Sequence, residues 1–276
     1  EAVLREFAAA GGNRVSLGMQ SACDDELHRL GRRHTARQTA LAVRAAQAAG
    51  IDNLSLDLML GIPGQTEDSL ARSISVCTQL GAAHVSAYLL KIEDGTPFAA
   101  RRETLGLPDE DAAAAIYLTA CGLLEENGYR QYEISNFSKP GHESRHNRKY
   151  WDGLPYLGIG PSAHSFLGRR RFYAPRDLDR FLAGAAPVDE AAHGDGGIAA
   201  GSPEETLMLR LRLCEGISLD WIREHFSADT KKLEQRARFL QQHGLTRLEG
   251  DRLRLTPQGF LVSNSVIVDL LETVEV

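Results

Sequence analysis

The sequence predicts an α/β protein with a largely parallel sheet, followed by a small α+β domain of the winged-helix type. Strand patterns alternate with helical patterns through the first half, and residues 53–60 form the near-continuous apolar run typical of a buried parallel strand. The chain closes with three helical patterns and a hairpin that turns at residues 250–251. We therefore expect a barrel or a doubly wound sheet with its chemistry at the carboxyl ends of the strands.

The first-half elements have recognisable ends, because Thr35 and Thr66 are suitable helix N-caps, and glycines such as Gly31 and Gly50 follow the helical patterns. These strands are too few to close an eight-stranded barrel, so the sequence predicts a partial barrel that lacks its first strands. The predicted strands are residues 14–20, 53–60, 84–90 and 129–137, and the predicted helices are residues 1–11, 24–30, 35–50, 66–80 and 108–127.

Asp57 is the one charged residue in the apolar run, and it precedes a tight loop, Gly61 to Gly64, that leads into a helix. A buried carboxylate is costly unless it is paired or bound to something. Asp57 is therefore a candidate binding residue, and a capping or ion-paired aspartate is the alternative. In a barrel, several groups would collect with it at the carboxyl ends of the strands: Gln20, residues 57–64, residues 91–93 and Asn136.

The second half is predicted to contain a loop-rich region, a linker and a separate domain. Residues 138–182 are rich in loop signals and precede the predicted linker. The first domain is therefore predicted to span residues 1–182. Residues 183–201 are dominated by glycine and alanine and are predicted to be a flexible linker. Residues 202–276 form the winged-helix-like domain, in which 10 Lys and Arg stand against 12 Asp and Glu. That balance lacks the basic footprint of DNA binding, so a packing or interaction role is favoured.

Composition describes an ordinary globular chain. The 276 residues carry a net charge of -6, which favours neither nucleic acid nor an anionic membrane as a partner. Neither a membrane-length apolar run nor a signal-peptide pattern occurs in the sequence. The four cysteines are widely separated and lack metal-ligand spacing, which indicates a reducing cytoplasmic location.

Six motifs occur in the sequence, at residues 13–21, 30–35, 56–66, 132–137, 146–151 and 156–161. Their order and number make them specific together. With these motifs the chain resembles the radical SAM heme chaperone family, often called HemW, which is related to oxygen-independent coproporphyrinogen III oxidase. The resemblance implies a radical SAM barrel with S-adenosylmethionine across the carboxyl ends of its strands, and Gln20, Arg32 and Asp57 as contacts to that ligand. Hydrogen-bonding and fork geometry suit these three side chains to those roles.

The fifth motif, His-Asn-x-x-Tyr-Trp at residues 146–151, implies heme binding by the resemblance. His146 would ligate the heme iron, and Asn147, Tyr150 and Trp151 would be further heme contacts. An imidazole can bind iron and aromatic rings can pack on a porphyrin, so the chemistry agrees. A surface loop anchored by its aromatic residues is the alternative. Three basic neighbours could pair with the heme propionates, namely Arg145, Arg148 and Lys149.

The chain departs from the family at its [4Fe-4S] cluster, because no Cys-x-x-x-Cys-x-x-Cys motif is present. The sequence also begins at Glu1 rather than methionine, so we expect the cluster cysteines and first strands to lie upstream of it. A natural variant that has lost radical chemistry is the alternative. The chain as printed is expected to hold no cluster and to bind S-adenosylmethionine poorly.

Two functions follow from the resemblance, and they leave the question of enzymatic activity open. The first is a carrier that passes heme to an acceptor protein, with membrane-associated acceptors among the candidates. The alternative is an oxygen-independent coproporphyrinogen III oxidase, which decarboxylates propionates by radical chemistry. The histidine-containing motif at residues 146–151 favours the carrier.

Overall fold

The computed structural model describes residues 1–96, 98–190, 198–226 and 230–274. The chain divides into two compact units, Glu1–Glu143 and Ser144–Val276. This division falls inside the predicted first domain, and the predicted boundaries at residues 182 and 202 stay predictions. The first unit contains one five-stranded sheet, and the second contains two three-stranded sheets.

The first unit alternates strands and helices as predicted, with most element ends within two residues of their expected positions. Its strands are β1 (Arg14–Gln20), β2 (Asn53–Leu60), β3 (His84–Leu89), β4 (Arg130–Gln131) and β5 (Asn136–Ser138). Its helices are α1 (Ala2–Ala9), α2 (Asp24–Arg29), α3 (Ala36–Ala48), α4 (Glu67–Gln79) and α5 (Glu110–Glu126), with a 3₁₀ turn at Ala99–Thr104.

The sheet of the first unit has the strand order β1-β2-β3-β5-β4. Strands β1, β2 and β3 are parallel, which confirms the predicted parallel sheet for this part. The prediction of a single strand over residues 129–137 is wrong. A tight turn, closed by a hydrogen bond from Tyr132 N to Asn136 O, splits the segment into β4 and β5. These two strands pair antiparallel with each other, and β5 also pairs antiparallel with β3.

Strand β2 has one fully buried face and one polar face. The four leucines on the buried face are at most 1% exposed, and helices α4 and α5 pack on this strand. Ser55, Asp57 and Met59 alternate with these leucines, and the last two are only partly buried. The expectation that β2 is buried on both faces is therefore wrong for the face that carries Asp57. The leucines of the buried face are Leu54, Leu56, Leu58 and Leu60.

Both predicted threonine caps are confirmed. The hydroxyls of Thr35 and Thr66 accept hydrogen bonds from the amides of Gln38 and Ser69, and each pair completes a capping box. The loop before the second cap turns at Gly61 and Gly64, which have φ values of 74° and 71°. Residues other than glycine rarely adopt this left-handed backbone conformation, so the loop depends on its two glycines.

The second unit begins with two short helices and one three-stranded sheet where the sequence predicted loops and a linker. Strand β8 lies within the predicted linker and pairs with β7, and residues 191–197 of that linker lie outside the described part. The strands are β6 (His164–Leu167), β7 (Arg170–Tyr173), β8 (Val188–Asp189), β9 (Ile217–Ser218), β10 (Thr246–Glu249) and β11 (Arg252–Leu255). The helices are α6 (Arg145–Trp151), α7 (Leu178–Leu182), α8 (Pro203–Arg210), α9 (Leu219–His225), α10 (Lys231–Gln242), α11 (Pro257–Leu261) and α12 (Ser263–Leu271).

The C-terminal region has the predicted winged-helix succession. Helices α8, α9 and α10 precede the hairpin of β10 and β11, and β9 adds a third strand to that sheet. The helical segment that follows the hairpin is divided at Val262 into α11 and α12. Across the described ranges, none of the helices has both the length and the apolar character needed to cross a membrane.

Candidate functional site

Asp57 lies on the polar face of β2 and is held by hydroxyl groups. Ser16 on β1 donates a hydrogen bond to Asp57 Oδ1 at 3.0 Å, and Ser86 lies directly opposite on β3. Burial raises the pKa of Asp57, whereas the hydrogen bonds from both serines and the positive charge of Arg14 oppose that rise. The two serine hydrogen bonds use only part of the lone pairs of the carboxylate, so the others can accept hydrogen bonds from a ligand.

Gln20 ends β1 in an unusual backbone conformation. Its φ is 65°, a left-handed value that costs a non-glycine residue about 1 kcal/mol or more. Its side chain is buried, and Tyr88 Oη donates a hydrogen bond to Gln20 Oε1 at 3.4 Å. Strain of this kind at the carboxyl end of a strand is a common feature of ligand sites.

Tyr88 connects the three predicted S-adenosylmethionine contacts. Burial and the nearby Asp57 charge raise the pKa of Tyr88, whereas the Gln20 hydrogen bond and the Arg32 charge oppose the rise. The Arg32 side chain is exposed, and its amide closes the end of α2 by bonding Leu27 O. Of the three predicted residues, Gln20 thus contacts the Tyr88 phenol directly, whereas Asp57 and Arg32 act on it through their charges.

Asn136 reaches this region by a different route from the one predicted. It starts the antiparallel strand β5 and pairs in register with Ser86, next to Asp57. Its buried Oδ1 has no hydrogen-bond partner within the described ranges. A buried acceptor without a partner is uncommon in proteins and calls for an explanation such as a bound polar group. The other predicted segment, residues 91–93, forms only an exposed Lys91–Glu93 ion pair of 3.0 Å.

The loop after β2 is fixed by side chains. Gln65 accepts a hydrogen bond from Gly61 N at 2.8 Å and donates one to Met59 O at 3.1 Å. Arg29 of α2 donates to Pro63 O at 3.0 Å. These contacts hold the loop at Gly61 to Gly64 against α2. The loop that follows Asp57 therefore has a fixed conformation before any ligand binds.

A buried carboxylate, Glu26, joins the loop after β1 to the start of α4. Glu26 is 3% exposed, and it accepts hydrogen bonds from Ser21 Oγ at 2.6 Å and Ser69 Oγ at 2.5 Å. Ser21 follows Gln20 directly, so this network fixes the position of the strained glutamine. The sequence offered no signal for it, because Glu26 occurs in an ordinary acidic helix start.

A second buried polar network supports the sheet. His84 Nδ1 lies 2.8 Å from Ser55 Oγ, and His84 Nε2 lies 2.9 Å from Tyr132 Oη. Burial, with a smaller contribution from the Arg14 charge, lowers the pKa of His84 to about 3. His84 therefore remains neutral in the folded protein at neutral pH.

Acidification is expected to destabilise the first unit through His84. Below pH 6.5 the unfolded chain takes up a proton that folded His84 cannot hold, so stability falls with falling pH. Between pH 6.5 and 5 the free energy of unfolding should fall by about 2 kcal/mol. Urea unfolding monitored by circular dichroism at several pH values tests this. His84→Leu should lose this dependence of the free energy of unfolding on pH, and His28→Gln, a change at an exposed histidine, should keep it. An equal slope in His84→Leu would contradict this origin.

The residues present do not hold an iron-sulfur cluster. All four cysteines are described by the structure, and none of them forms a disulfide bond: Cys23, Cys77, Cys121 and Cys214. Within the described ranges, no cluster of three or more histidine, cysteine or acidic side chains is arranged to bind a metal ion. Burial raises the pKa of Cys77 to about 12 and that of Cys121 to about 11, which keeps both as structural thiols.

The predicted heme motif folds as helix α6 rather than as a loop. Ser144 caps this helix by accepting a hydrogen bond from Asn147 N at 3.3 Å. His146 and Tyr150 lie one turn apart on an exposed stripe, whereas Asn147 and Trp151 lie half-buried on the neighbouring stripe. The structure therefore brings His146 and Tyr150 together but turns Trp151 away from that pair.

The His146 and Tyr150 side chains form a hydrogen bond with each other. Tyr150 Oη lies 3.1 Å from His146 Nε2, and their rings meet edge to face with centroids 5.1 Å apart. Tyr156 packs edge to face on Tyr150 at 4.7 Å, and backbone hydrogen bonds tie Tyr156 to Phe166 on β6. The phenol ring is therefore fixed from two sides.

The three basic residues in and beside this motif differ in their ion pairs and exposure. Arg148 forms ion pairs with Glu215 at 2.9 Å and Asp152 at 3.9 Å, so it is already neutralised. The proposed pairing of Arg148 with a heme propionate is thus disfavoured. Arg145 and Lys149 are exposed on the same side as His146 and Tyr150.

Two family models match the chain. The radical SAM superfamily matches residues 1–77, and the HemN C-terminal domain matches residues 202–262. The second match covers the three helices, the hairpin and α11. Together these matches agree with a partial radical SAM barrel followed by a C-terminal domain.

Curated relatives are similar over nearly the whole chain. Heme chaperone HemW of Mycobacterium tuberculosis is 39% identical over 95% of this chain and 66% of its own length. Heme chaperone HemW of Lactococcus lactis is 33% identical over 98% of this chain and 72% of its own length. A mitochondrial radical S-adenosyl methionine domain-containing protein 1 of Bos taurus is 33% identical over 99% of this chain and 65% of its own length. The chain thus spans about two thirds of the length of these relatives.

A solved structure shares the fold. Coproporphyrinogen III oxidase (HemN) of Escherichia coli, a radical SAM enzyme, matches with a TM-score of 0.75 at 19% identity. The match covers 97% of this chain and 66% of the oxidase chain. At this identity the similarity establishes the architecture alone.

Proposed function

Because this chain belongs to the heme chaperone HemW family of radical SAM proteins, we propose that it carries heme and passes it to an acceptor protein. The observation that carries this proposal is the α6 helix, which presents an imidazole and a phenol side by side on an exposed face. Both groups bind heme iron in proteins. The curated relatives named as heme chaperones support the same function.

The heme would lie against the exposed stripe of α6. Tyr150 is 38% exposed, so its ring offers a porphyrin face as well as a polar end. Arg145 and Lys149 are exposed on an adjacent stripe of α6 and could pair with propionates. Asn147 and Trp151 would support the helix rather than form the main heme face.

The first unit would contribute an S-adenosylmethionine site formed by Gln20, Arg32 and Asp57. Support comes from the hydrogen bond between Tyr88 and Gln20 and from the influence of the Asp57 and Arg32 charges on Tyr88. Asn136 Oδ1, a buried acceptor with no hydrogen-bond partner among the described residues, supports it as well. Asp57 can accept from ribose hydroxyls or an amine, and Arg32 can bind a carboxylate. In the intact protein a [4Fe-4S] cluster would lie beside this ligand and supply the electron for radical or regulatory chemistry. The ligands of that cluster are not among the residues of this chain.

The C-terminal region, the cellular compartment and the heme acceptor complete the proposal. Residues 202–276 would serve as a packing or interaction domain, since their acidic balance disfavours nucleic acid. The cysteines are widely separated and form no disulfide bond, which favours a reducing compartment, the cytoplasm. The acceptor would be another protein that binds heme.

A heme titration tests the carrier function. We expect the unchanged chain to give a saturable Soret shift with ferric heme, and His146→Ala to weaken binding at least tenfold. His164→Ala is the matched control, because His164 is also an exposed histidine of the second unit but bonds Glu190 at 2.6 Å. Equal binding by His146→Ala and the unchanged chain would contradict the proposed site. Circular dichroism of each variant establishes that its fold is retained.

A further inference from the structure

Helix α10 carries a basic surface within a region whose overall charge is acidic. Its 12 residues include four basic side chains and one acidic side chain, whereas residues 202–276 contain more acidic than basic residues. The acidic residue, Glu234, lies 2.6 Å from Arg223 of α9, so its charge is already paired. The exposed part of the helix is therefore positively charged. The basic residues are Lys231, Lys232, Arg236 and Arg238.

One face of α10 is buried and the opposite face is open to solvent. The buried face is apolar, and it packs the helix on β10 and α12. Lys232 and Arg238 are exposed on the other side, and neither has an ion pair among the residues that the structure describes. Such cations can bind carboxylates of a partner without first giving up a partner of their own. The buried residues are Leu233, Ala237 and Leu240.

An aromatic side chain, Phe239, is held in place on the exposed side. It is 45% exposed, and the guanidinium carbon of Arg236 lies 4.7 Å from the centroid of its ring. The centroid of the His243 ring lies 4.5 Å away. Asp269 of α12 accepts hydrogen bonds from Arg236 Nε at 2.7 and 2.9 Å, so the arginine is fixed as well. A fixed ring loses little entropy when a partner covers it, and aromatic side chains are enriched at protein interfaces.

We propose that the exposed face of α10 docks a protein whose surface is acidic around an apolar depression. Carboxylates of that partner would pair with Lys232 and Arg238, and Phe239 would fill the depression. This inference rests on the proposed heme-carrier function, because the partner is the protein that accepts heme from α6 of the same unit. The face consists of residues on neighbouring turns of the helix, namely Lys232, Gln235, Arg238, Phe239 and Gln242.

Nucleic acid is the other polyanion that a basic helix can bind, and the surroundings of α10 disfavour it. The adjoining hairpin of β10 and β11 has three arginines, and two of them, Arg247 and Arg254, pair with Glu249. Few cations therefore remain for the several phosphate contacts that DNA binding uses. The net charge of -6 also opposes the approach of DNA. A few cations around one apolar anchor suit a protein partner instead.

Direct association of the heme-free, full 276-residue chain with apo-cytochrome b5, an acidic heme protein, tests this face without heme. Fluorescence anisotropy of the labelled probe gives the Kd. We expect Arg238→Glu to weaken binding about tenfold and Phe239→Ala about threefold or more. Arg180→Glu is the matched control, because it makes the same charge change at an exposed arginine of α7, and its Kd should change less than about twofold.

Salt should weaken this association, since exposed charges are screened within about 8 Å at physiological ionic strength. We expect the Kd of the unchanged chain to rise about fivefold or more between about 50 and about 300 mM NaCl. The Kd of Arg238→Glu should rise much less, because that variant has lost the charge that is screened. Equal salt dependence of the two proteins would contradict a docking role for Arg238.

Transfer of ferric heme to the same probe connects the face with the carrier function. Arg238→Glu should take up heme like the unchanged chain, because α10 is not part of the α6 site. It should deliver heme to apo-cytochrome b5 about tenfold more slowly, whereas delivery to the nearly neutral apomyoglobin should change less than about twofold. Circular dichroism of each variant establishes that its fold is retained.

Each other result decides the proposal. Equal binding of the probe by Arg238→Glu, Arg180→Glu and the unchanged chain would overturn it, and the carrier function would stand if heme is still taken up and delivered. If the unchanged chain binds the probe through α10 but takes up no heme, the docking face stands and the carrier function fails. Tighter binding of a short DNA duplex than of the probe, lost in Arg238→Glu, would assign α10 to nucleic acid and overturn the proposal.

Discussion

Glu205→Gln is expected to lower the free energy of unfolding of the second unit by about 3 kcal/mol, because it breaks a buried ion pair on one side. Glu205 is 4% exposed, and it accepts hydrogen bonds from Arg171 at 2.7 Å and from Gly201 N at 2.7 Å. A glutamine would direct an N–H toward one of these donors. Arg171 would also lose the partner that keeps its pKa raised against burial.

Tryptophan fluorescence during urea unfolding measures this effect selectively. Both tryptophans, Trp151 and Trp221, lie in the second unit. Arg170→Ala is the matched control, since it removes the neighbouring Arg170–Asp189 pair, in which the arginine is exposed. That control should cost less than about 1 kcal/mol. A loss below about 1 kcal/mol for Glu205→Gln would mean that the pair contributes little to stability.

Glu26→Ala is expected to destabilise the first unit by about 3 kcal/mol and to loosen the loop that carries Gln20. The change removes the carboxylate that accepts the short hydrogen bonds of Ser21 and Ser69, and it opens a cavity in a buried site. Because Ser21 also accepts a hydrogen bond from Cys23 N, the loop after β1 should lose its fixed conformation. Affinity for S-adenosylmethionine should fall with it.

Two readouts separate stability from local order. Circular dichroism in urea gives the free energy of unfolding, and hydrogen exchange at Ala22 and Cys23 reports the loop. Asp25→Ala, an exposed neighbour on α2, should change neither. Unchanged exchange in Glu26→Ala would show that this loop is held by other contacts.

Much of the fold could be predicted from local sequence patterns. The strand at Arg14–Gln20 and the helix caps at Thr35 and Thr66 are strong local signals, and the structure confirms them. The segment 129–137 was misjudged, because its apolar and polar residues alternate like one strand while a backbone turn reverses the chain inside it. Helix α6 was missed since its seven residues are too few to display apolar periodicity.

The candidate sites were predictable in identity but not in geometry. Asp57 was identifiable as a carboxylate in an apolar strand, whereas its partners Ser16 and Ser86 depend on the register between strands. The positive φ of Gln20 and the role of Tyr88 likewise arise only when three strands lie side by side. The motif at residues 146–151 indicated heme, but the bond between His146 and Tyr150 depends on the helix that the sequence did not reveal.

The central claim, that the chain carries heme and delivers it, is tested most directly by a transfer assay. The chain is loaded with one equivalent of ferric heme and mixed with an apo-hemoprotein, and absorbance follows heme arrival. The account predicts transfer faster than spontaneous release to an excess of a passive heme scavenger, and no conversion of coproporphyrinogen III in a parallel incubation. Transfer no faster than spontaneous release, or formation of a decarboxylated porphyrin product, would contradict the carrier function, and the second result would favour the oxidase.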